Sequence, residues 1–311
     1  MEHDDDRFFS GASRGDYLDA LTAHAGLGSV VALEGDSGSG VSTLLGHTVM
    51  ALLGDMEIVR IDGAAEHPTA LVQSAAMASV PPPVPSYRPV LPKTLVRDGL
   101  LSAPQLESVI YAGNAHETHL KGLFKRGEIE GQLIAAAEGD EGAFRLRKGW
   151  FLGDGTGCGK GRQVAGIILD NWLQGRRRAV WVSKSDKLIE DARRDWMALG
   201  GRESDIVPLS KFRQGSDIRL PEGILFVTYA TLRSAEREGK AARLEQVTSW
   251  LGEGFDGVIA FDESHAMANA AGEKSDRGDK KASQQGLAGL ALQNAVPDAR
   301  VLYVSATGAT V

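Results

Sequence analysis

A glycine-rich loop constrains the fold of this chain more than any other feature. The sequence GDGTGCGKGR spans residues 153–162, directly after a short apolar segment and directly before a helical pattern. Such a loop points backbone N–H groups and a helix N-terminus at a phosphate chain, and its lysine adds positive charge near the terminal phosphates. A glycine-rich turn without a ligand is the alternative, but strand, loop, lysine and helix together favour phosphate binding. The residues predicted to bind the phosphates are Asp154, Gly155, Thr156, Gly157, Cys158, Gly159, Lys160, Gly161 and Arg162.

The position after the lysine departs from the usual pattern. It normally carries Ser or Thr, whose hydroxyl binds Mg²⁺. This chain has Gly161 there. A bound Mg²⁺ would therefore depend on a protein carboxylate, on phosphate oxygens and on water.

A strand that ends in two acids supplies such a carboxylate. VIAFDESH occupies residues 258–265, an apolar run followed by Asp262, Glu263 and His265. We expect Asp262 to hold Mg²⁺ through water and Glu263 to orient or deprotonate the attacking water. Neighbouring strand residues point to opposite sides, so two roles for adjacent acids are geometrically sensible. Acids also end strands at ordinary protein surfaces, and this motif gains its functional interpretation from the loop upstream.

Short apolar segments alternate with helical patterns between residues 149 and 305, which predicts an α/β fold. Continuous apolar strands separated by helices form a parallel sheet covered on both faces, with ligands at the carboxyl ends of the strands. The glycine-rich loop and the acid motif both lie at such ends. The predicted strands are Gly149–Leu152, Ala179–Ser183, Ile224–Thr228, Val258–Phe261 and Val301–Ser305, and the predicted helices are Gly161–Gln174, Asp186–Leu199 and Ala241–Leu251.

Two further segments gain meaning from their place in the chain. Gln105 opens a helical pattern upstream of the loop, and its amide could donate to and accept from an adenine edge. Taken alone, a glutamine on a helix is usually a solvated side chain. Ser305, Ala306 and Thr307 follow the last predicted strand, where small hydroxyl side chains could hydrogen-bond the acid motif and relay its state.

The order of these motifs resembles the first motor lobe of superfamily 2 helicases and translocases. Within that group the chain resembles the strawberry notch family of helicase-like ATPases over most of residues 87–311. The segments that carry this resemblance are YRPVLPKTLVRDGLLSAPQLESVIYA, GDGTGCGKGRQ, AVWVSKSDKLIEDARRDW, LFVTYATL, FDESHAMAN and VLYVSATGAT. Gly161 and Asp154 also belong to that family's loop. The resemblance implies a RecA-like lobe that uses ATP and Mg²⁺.

The resemblance also implies roles for individual residues. Lys160, Asp262 and Glu263 would take part in ATP hydrolysis, and the upstream glutamine would recognise adenine. His265 would couple hydrolysis to nucleic-acid binding, together with residues 305–307.

The same resemblance implies a second lobe. Family members continue into another RecA-like lobe that supplies arginine fingers, whereas this sequence stops at Val311. An absent arginine finger can lower turnover by about 10³- to 10⁵-fold. We therefore expect ATP binding with slow or incomplete hydrolysis by this chain alone. The expected partners are nucleic acid, with DNA favoured, and a second RecA-like lobe in cis or in trans.

Charge divides the chain into two parts. The whole sequence has a formal net charge of -7, but residues 1–80 alone carry -9 and the remainder +2. A proline run, PPPVP at residues 81–85, follows this break and predicts a stiff linker. Overall acidity therefore does not argue against nucleic-acid binding by the C-terminal part. We predict an acidic module at 1–80, a linker at 81–87 and a RecA-like lobe at 88–311.

The acidic module contains a second, degenerate loop. EGDSGSGVST at residues 34–43 has the spacing of a phosphate loop and keeps the hydroxyl of Ser42, but Val41 stands where the lysine should be. Residues 7–62 weakly resemble the start of a bacterial AAA-type ATPase. Without the lysine or a following acid pair, a vestigial or structural role is favoured. One alternative for the whole chain is therefore a non-catalytic scaffold with relic loops, whose acidic module recruits a protein partner.

The sequence also bears on location. No run of eighteen or more apolar residues occurs, and the start MEHDDDRFF is acidic where a signal peptide would be basic. We therefore expect no membrane partner and a cytoplasmic protein. The one cysteine, Cys158, cannot form an internal disulfide and leaves no multi-cysteine zinc site.

Overall fold

The computed structural model describes residues 84–127, 132–233, 242–268 and 283–306. The predictions made for the acidic module at 1–80, for its degenerate loop and for Thr307 lie outside these residues.

The described residues form eight strands and seven α-helices. The strands are β1 (Leu123–Arg126), β2 (Leu133–Ala136), β3 (Trp150–Leu152), β4 (Arg178–Ser183), β5 (Ile206–Pro208), β6 (Gly223–Thr228), β7 (Val258–Asp262) and β8 (Arg300–Val304). The helices are α1 (Lys93–Arg97), α2 (Ala103–His116), α3 (Lys160–Leu173), α4 (Ile189–Met197), α5 (Tyr229–Leu232), α6 (Arg243–Leu251) and α7 (Gln284–Ala295). None of these described helices combines the length and the apolarity that a bilayer span requires.

Six of the strands form one parallel sheet in the order β3-β8-β7-β4-β6-β5. The strands β1 and β2 pair antiparallel as a separate hairpin. Because parallel strands end at the same edge, the segments that follow β3, β8 and β7 meet at the carboxyl edge of the sheet. The prediction of an α/β fold with a parallel sheet is confirmed.

Helices cover both faces of this sheet. One apolar core contains side chains of α2, α3 and α4, including Val109, Ile168 and Trp196. A second core contains side chains of α5, α6 and α7, including Val247 and Leu292. The central strands β4 and β6 are buried along nearly their whole length. Burial on both faces explains why their sequences are continuous apolar runs rather than alternating patterns.

The five predicted strands end within one residue of the observed ones. The helix predicted at 186–199 begins as a 3-10 turn, Asp186–Leu188, before α4. Sequence patterns missed β5, the β1–β2 hairpin and α7. The strand β5 has only three residues, and α7 contains two glycines and few large apolar side chains, so neither carries a strong periodic signal.

The segment before α1 packs on the lobe. The backbone N–H groups of Ser86 and Tyr87 donate to Asn114 Oδ1 in α2, at 3.1 and 2.6 Å. The Tyr87 hydroxyl donates to the carboxylate of Asp170 in α3. Two residues of the predicted linker are therefore held against helices of the lobe.

Candidate nucleotide site

The glycine-rich loop joins β3 to α3 at the carboxyl edge. Gly159 precedes the helix with a φ of 71°, a left-handed conformation that favours glycine. A Cβ at this position would also lie 2.5 Å from the Gln105 amide nitrogen. The helix α3 then begins at Lys160 and runs for 14 residues. Its first-turn N–H groups and the positive end of its dipole lie at the end of the loop, an arrangement that suits an anion.

Lys160 lies along the loop. Its ammonium donates to the backbone carbonyls of Asp154 and Gly155, each at 2.9 Å. These acceptors are neutral, whereas a phosphate oxygen would form a stronger, charge-assisted hydrogen bond. The ammonium is therefore already placed within the loop and has partners that a phosphate can replace.

Two buried glutamines contact the same loop. Gln105 from α2 and Gln163 from α3 both donate to the carbonyl of Cys158, at 3.3 and 3.2 Å. Gln163 also donates to Asp154 Oδ2 at 2.9 Å. The Oε1 atom of Gln105 accepts the N–H of Ser102 at 3.1 Å, in a capping box at the start of α2. Both ends of the Gln105 amide are thus bonded within the protein, and its contact with adenine stays a prediction.

Asp262 ends β7 and is held by two donors. Its Oδ2 accepts the Ser183 hydroxyl and its Oδ1 accepts the N–H of Glu263, both at 3.0 Å. Burial raises the pKa of Asp262, and the nearby positive charge of Lys160 partly opposes that rise. A carboxylate that is oriented by two donors beside a lysine fits the task of holding Mg²⁺ through water.

Glu263 adopts a left-handed backbone conformation, with φ 51° and ψ 46°. In the described part of the chain it is the one non-glycine residue with a positive φ. Such conformations cost on the order of 1–3 kcal/mol and concentrate at functional sites. The turn brings Glu263 Oε2 to 3.2 Å from His265 Nδ1.

Ser305 links the acid motif to the start of the glycine-rich loop. Its hydroxyl lies 3.3 Å from His265 Nδ1. Its backbone N–H donates to the carbonyl of Leu152, the last residue of β3, at 3.1 Å. The structure therefore brings His265 and Ser305 together, with Ala306 directly beyond them.

Gly161 packs against a carboxylate from a neighbouring helix. A Cβ at Gly161 would collide with Oδ2 of Asp195 in α4. Burial raises the pKa of Asp195, while the charges of Arg194 and Arg162 oppose the rise. Arg162 Nε lies 3.5 Å from Asp195 Oδ1, and its guanidinium also donates to the Leu100 carbonyl at 3.0 Å. The absence of a hydroxyl residue at 161 thus has a packing reason.

Sequence reasoning missed several residues that contact the site. Besides Gln163 and Asp195, they include Ser183 at the end of β4. A further contact comes from Tyr229, directly after β6. The Tyr229 hydroxyl donates to the backbone carbonyl of Asp262 at 2.9 Å, and its ring stacks on Phe261. A hydroxyl residue at the end of a predicted strand could have indicated Ser183, because that end shares the edge with the acid motif.

Comparison with known proteins agrees with this geometry. Residues 66–311 match the family described as P-loop containing NTP hydrolase pore-1. The match starts inside the segment predicted as the acidic module and includes both the glycine-rich loop and the acid motif.

Curated relatives are 35–40% identical to this chain over the aligned residues. Strawberry notch homolog 1 of Gallus gallus is 39% identical over 251 residues, which cover 78% of this chain and 18% of that protein. Strawberry notch homolog 2 of Mus musculus is 40% identical over 247 residues, 79% of this chain and 16% of that protein. FORGETTER 1 of Arabidopsis thaliana is 35% identical over 248 residues, 78% of this chain and 17% of that protein. The chain spans less than a fifth of the length of these relatives. It belongs to the strawberry notch family of P-loop NTP hydrolases.

Proposed function

We propose that the carboxyl edge of the sheet binds ATP with Mg²⁺ and hydrolyses it. The observation that carries this proposal is the placement at one edge of the parallel sheet of Lys160, which begins α3 after the glycine-rich loop, and Asp262, which ends β7. One group supplies a cation for phosphate and the other a carboxylate for the metal. The family match supports a nucleotide as the ligand.

Each group of the edge has a separate task in this proposal. The loop N–H groups and the N-terminus of α3 bind the phosphates, and Lys160 exchanges its two carbonyl acceptors for phosphate oxygens. Asp262 holds the metal through water, and Mg²⁺ when bound neutralises charge on the phosphates. Glu263 orients the attacking water or removes its proton.

We propose nucleic acid, with DNA favoured, and a second RecA-like lobe in cis or in trans as partners of this edge. Support for a coupling role comes from the continuous path of contacts that starts at Glu263 and passes through His265 and Ser305 to the end of β3. A change at the acid motif would reach the start of the glycine-rich loop along this path. The acidic module is the part of the chain proposed to bind a protein partner.

Nucleotide titration tests the binding step. We expect millimolar or tighter binding of ATP with Mg²⁺, loss of that binding in Lys160→Ala, and retention in Lys125→Ala. Lys125 is a matched control because it pairs with Asp140 in the hairpin region, 2.7 Å away. If the unmodified chain binds no nucleotide, the scaffold alternative gains support.

Hydrolysis assays test the remaining steps. Glu263→Gln should bind ATP like the unmodified chain and hydrolyse it more slowly, because the water loses its base.

Turnover by the chain alone should be slow, since an arginine finger contributes about 10³- to 10⁵-fold in related reactions. Adding DNA and a second lobe in trans should raise it, and Ser305→Ala should weaken that stimulation. Fast turnover by the chain alone, abolished by Lys160→Ala, would contradict the proposed need for a second lobe.

A further inference from the structure

We propose that Gln105 and Gln163 are positioning residues that clamp the glycine-rich loop, so that Gln105 contributes to the binding of a polyphosphate chain whether or not a base is attached. The inference rests on the proposed function, which supplies the ligand that the loop binds. Its physical basis is a set of contacts within the protein.

Both glutamines donate to one backbone oxygen. The Cys158 carbonyl accepts Gln105 Nε2 at 3.3 Å and Gln163 Nε2 at 3.2 Å. A carbonyl oxygen has two lone pairs, so it can accept both amides. The glutamines are 8% and 0% exposed. Because buried amides need hydrogen-bond partners, neither side chain can leave the loop without a penalty.

Fixing this carbonyl fixes the N–H group that follows it. The carbonyl of Cys158 and the N–H of Gly159 belong to one planar trans peptide, in which the two bonds point in opposite directions. While the two amides hold the carbonyl on their side, the Gly159 N–H points to the other side. That N–H lies immediately before Lys160 and is one of the donors available to a phosphate.

Gln163 extends the clamp to the beginning of the loop. Its amide nitrogen also donates to Asp154 Oδ2 at 2.9 Å. One side chain thus connects Asp154 with Cys158, four positions further along the chain. The loop therefore has a defined shape before any ligand arrives, and this preorganisation lowers the entropy lost on binding.

Both polar atoms of the Gln105 amide already have a partner in the protein. Its nitrogen donates to the Cys158 carbonyl at 3.3 Å and its oxygen accepts Ser102 N–H at 3.1 Å. A second N–H of the nitrogen and a second lone pair of the oxygen lie beyond these two contacts, so a contact with a base would add to the clamp rather than replace it. Gly159 reinforces the close approach, because a side chain at that position would meet the Gln105 nitrogen.

Alkylation of Cys158 tests the clamp without any nucleotide. Cys158 is the single cysteine of the chain, so the iodoacetamide reaction reports on this loop alone. In Gln105→Met and in Gln163→Met we expect Cys158 to react about three- to tenfold faster than in the unmodified chain. Loss of one hydrogen bond of ordinary net strength shifts the equilibrium from the closed to the open loop by such a factor. Circular dichroism would establish that each variant is folded. Unchanged rates in both folded variants would overturn the clamp.

A distant glutamine provides the matched control. Gln246 is buried, and its amide donates to the carbonyls of Arg213 and Ser216 at 2.9 and 2.6 Å. Gln246→Met removes equivalent bonds and should leave the alkylation rate unchanged. Equal acceleration in this variant would show general loosening of the protein and would overturn a local clamp.

Binding of three phosphate ligands tests whether Gln105 acts through the loop. We expect Gln105→Met to weaken the binding of ATP, GTP and inorganic tripolyphosphate, that of tripolyphosphate by about fivefold. Weakening of ATP alone would identify Gln105 as an adenine contact and overturn the proposal, as would no weakening at all. If the unmodified chain binds none of the three ligands, the proposed function fails. The alkylation experiment still tests whether the two glutamines clamp the loop.

Discussion

The two edges of the parallel sheet use charged side chains in different ways. At the carboxyl edge, the hydrogen bonds described for the Lys160 ammonium go to neutral carbonyls of its own loop. The side chains of Glu263 and His265 are 37% and 41% exposed. At the amino edge, Arg178 donates to the carbonyls of Pro221 and Trp250 at 3.0 and 2.9 Å. The first set of contacts can be exchanged for a ligand, whereas the second set connects distant segments of the chain.

The run of three arginines that leads into β4, and whose third member is its first residue, illustrates the amino edge. A basic run often indicates phosphate contacts with nucleic acid. Here Arg176 donates to Asn171 Oδ1 at 2.7 Å, Arg177 pairs with Glu222 at 3.2 Å, and Arg178 lies over the Trp250 ring. The run therefore contributes to the structure. The comparison teaches that the partners of a charged group, more than its charge, indicate whether it is available to a ligand.

The largest effect that we expect in this comparison is a pH dependence of the folding stability, caused by a group at the amino edge. His116 lies there, with Nε2 3.0 Å from the Val301 carbonyl, and burial lowers its pKa from 6.5 to about 4, helped by Arg300, Arg147 and Arg176. Below pH 6.5 the unfolded chain binds a proton that the folded chain does not. Folding stability is therefore complete above pH 6.5 and should fall by about 3 kcal/mol as the pH approaches 4.

Urea unfolding between pH 7 and pH 4.5 measures this loss. Other groups also titrate in this range, so the informative quantity is the difference between the unmodified chain and His116→Asn. The variant should lose less stability over the range. Parallel curves for the two proteins would contradict a neutral, buried His116.

Arg178→Ala should show the next largest effect. It removes two hydrogen bonds to backbone carbonyls and the contact of the guanidinium with the Trp250 ring, 5.8 Å away. We expect a fall of about 2 kcal/mol in the free energy of unfolding. Arg177→Ala is the matched control, since its pair with Glu222 is half-exposed and should contribute less than about 1 kcal/mol. Equal effects of the two substitutions would contradict this assignment.

A smaller effect is expected at Gly161 on the carboxyl edge. Gly161→Ser should lower the free energy of unfolding by about 1–2 kcal/mol, because the new side chain collides with Asp195. In an Asp195→Ala background the same substitution should lower it much less. Urea unfolding of the four proteins in this double-mutant cycle measures the coupling. Additive effects would show that Asp195 is not the reason for glycine at this position.

Features carried by local sequence could be predicted. The glycine-rich loop, the apolar strand ending at Asp262 and the helix beginning at Lys160 each have a short-range pattern, and the structure places them at one edge. The contacts of Asp195 with Gly161 and of Ser183 with Asp262 join residues 34 and 79 positions apart. No periodic pattern encodes such contacts, because they depend on how α4 and β4 pack beside the edge.

Gln105 shows the same limit of sequence-based prediction at a single residue. The sequence places Gln105 upstream of the loop, but its hydrogen bonds depend on how α2 packs against α3. The same packing buries Gln163, which sequence reasoning passed over although it stands only three residues after Lys160. Local sequence thus indicated which segments form the edge, and tertiary packing determined which side chains support them.

Thermal unfolding of two variants with and without ATP and Mg²⁺ tests the contrast between the edges most directly. A ligand that binds only the folded state at 100 times its dissociation constant stabilises it by about 2.7 kcal/mol. Lys160→Ala should unfold at the temperature of the unmodified chain and show no ATP-induced rise. Arg178→Ala should unfold at a lower temperature and keep the full rise. A preserved rise in Lys160→Ala, or a lost rise in Arg178→Ala, would contradict the assignment of the ligand site to the carboxyl edge.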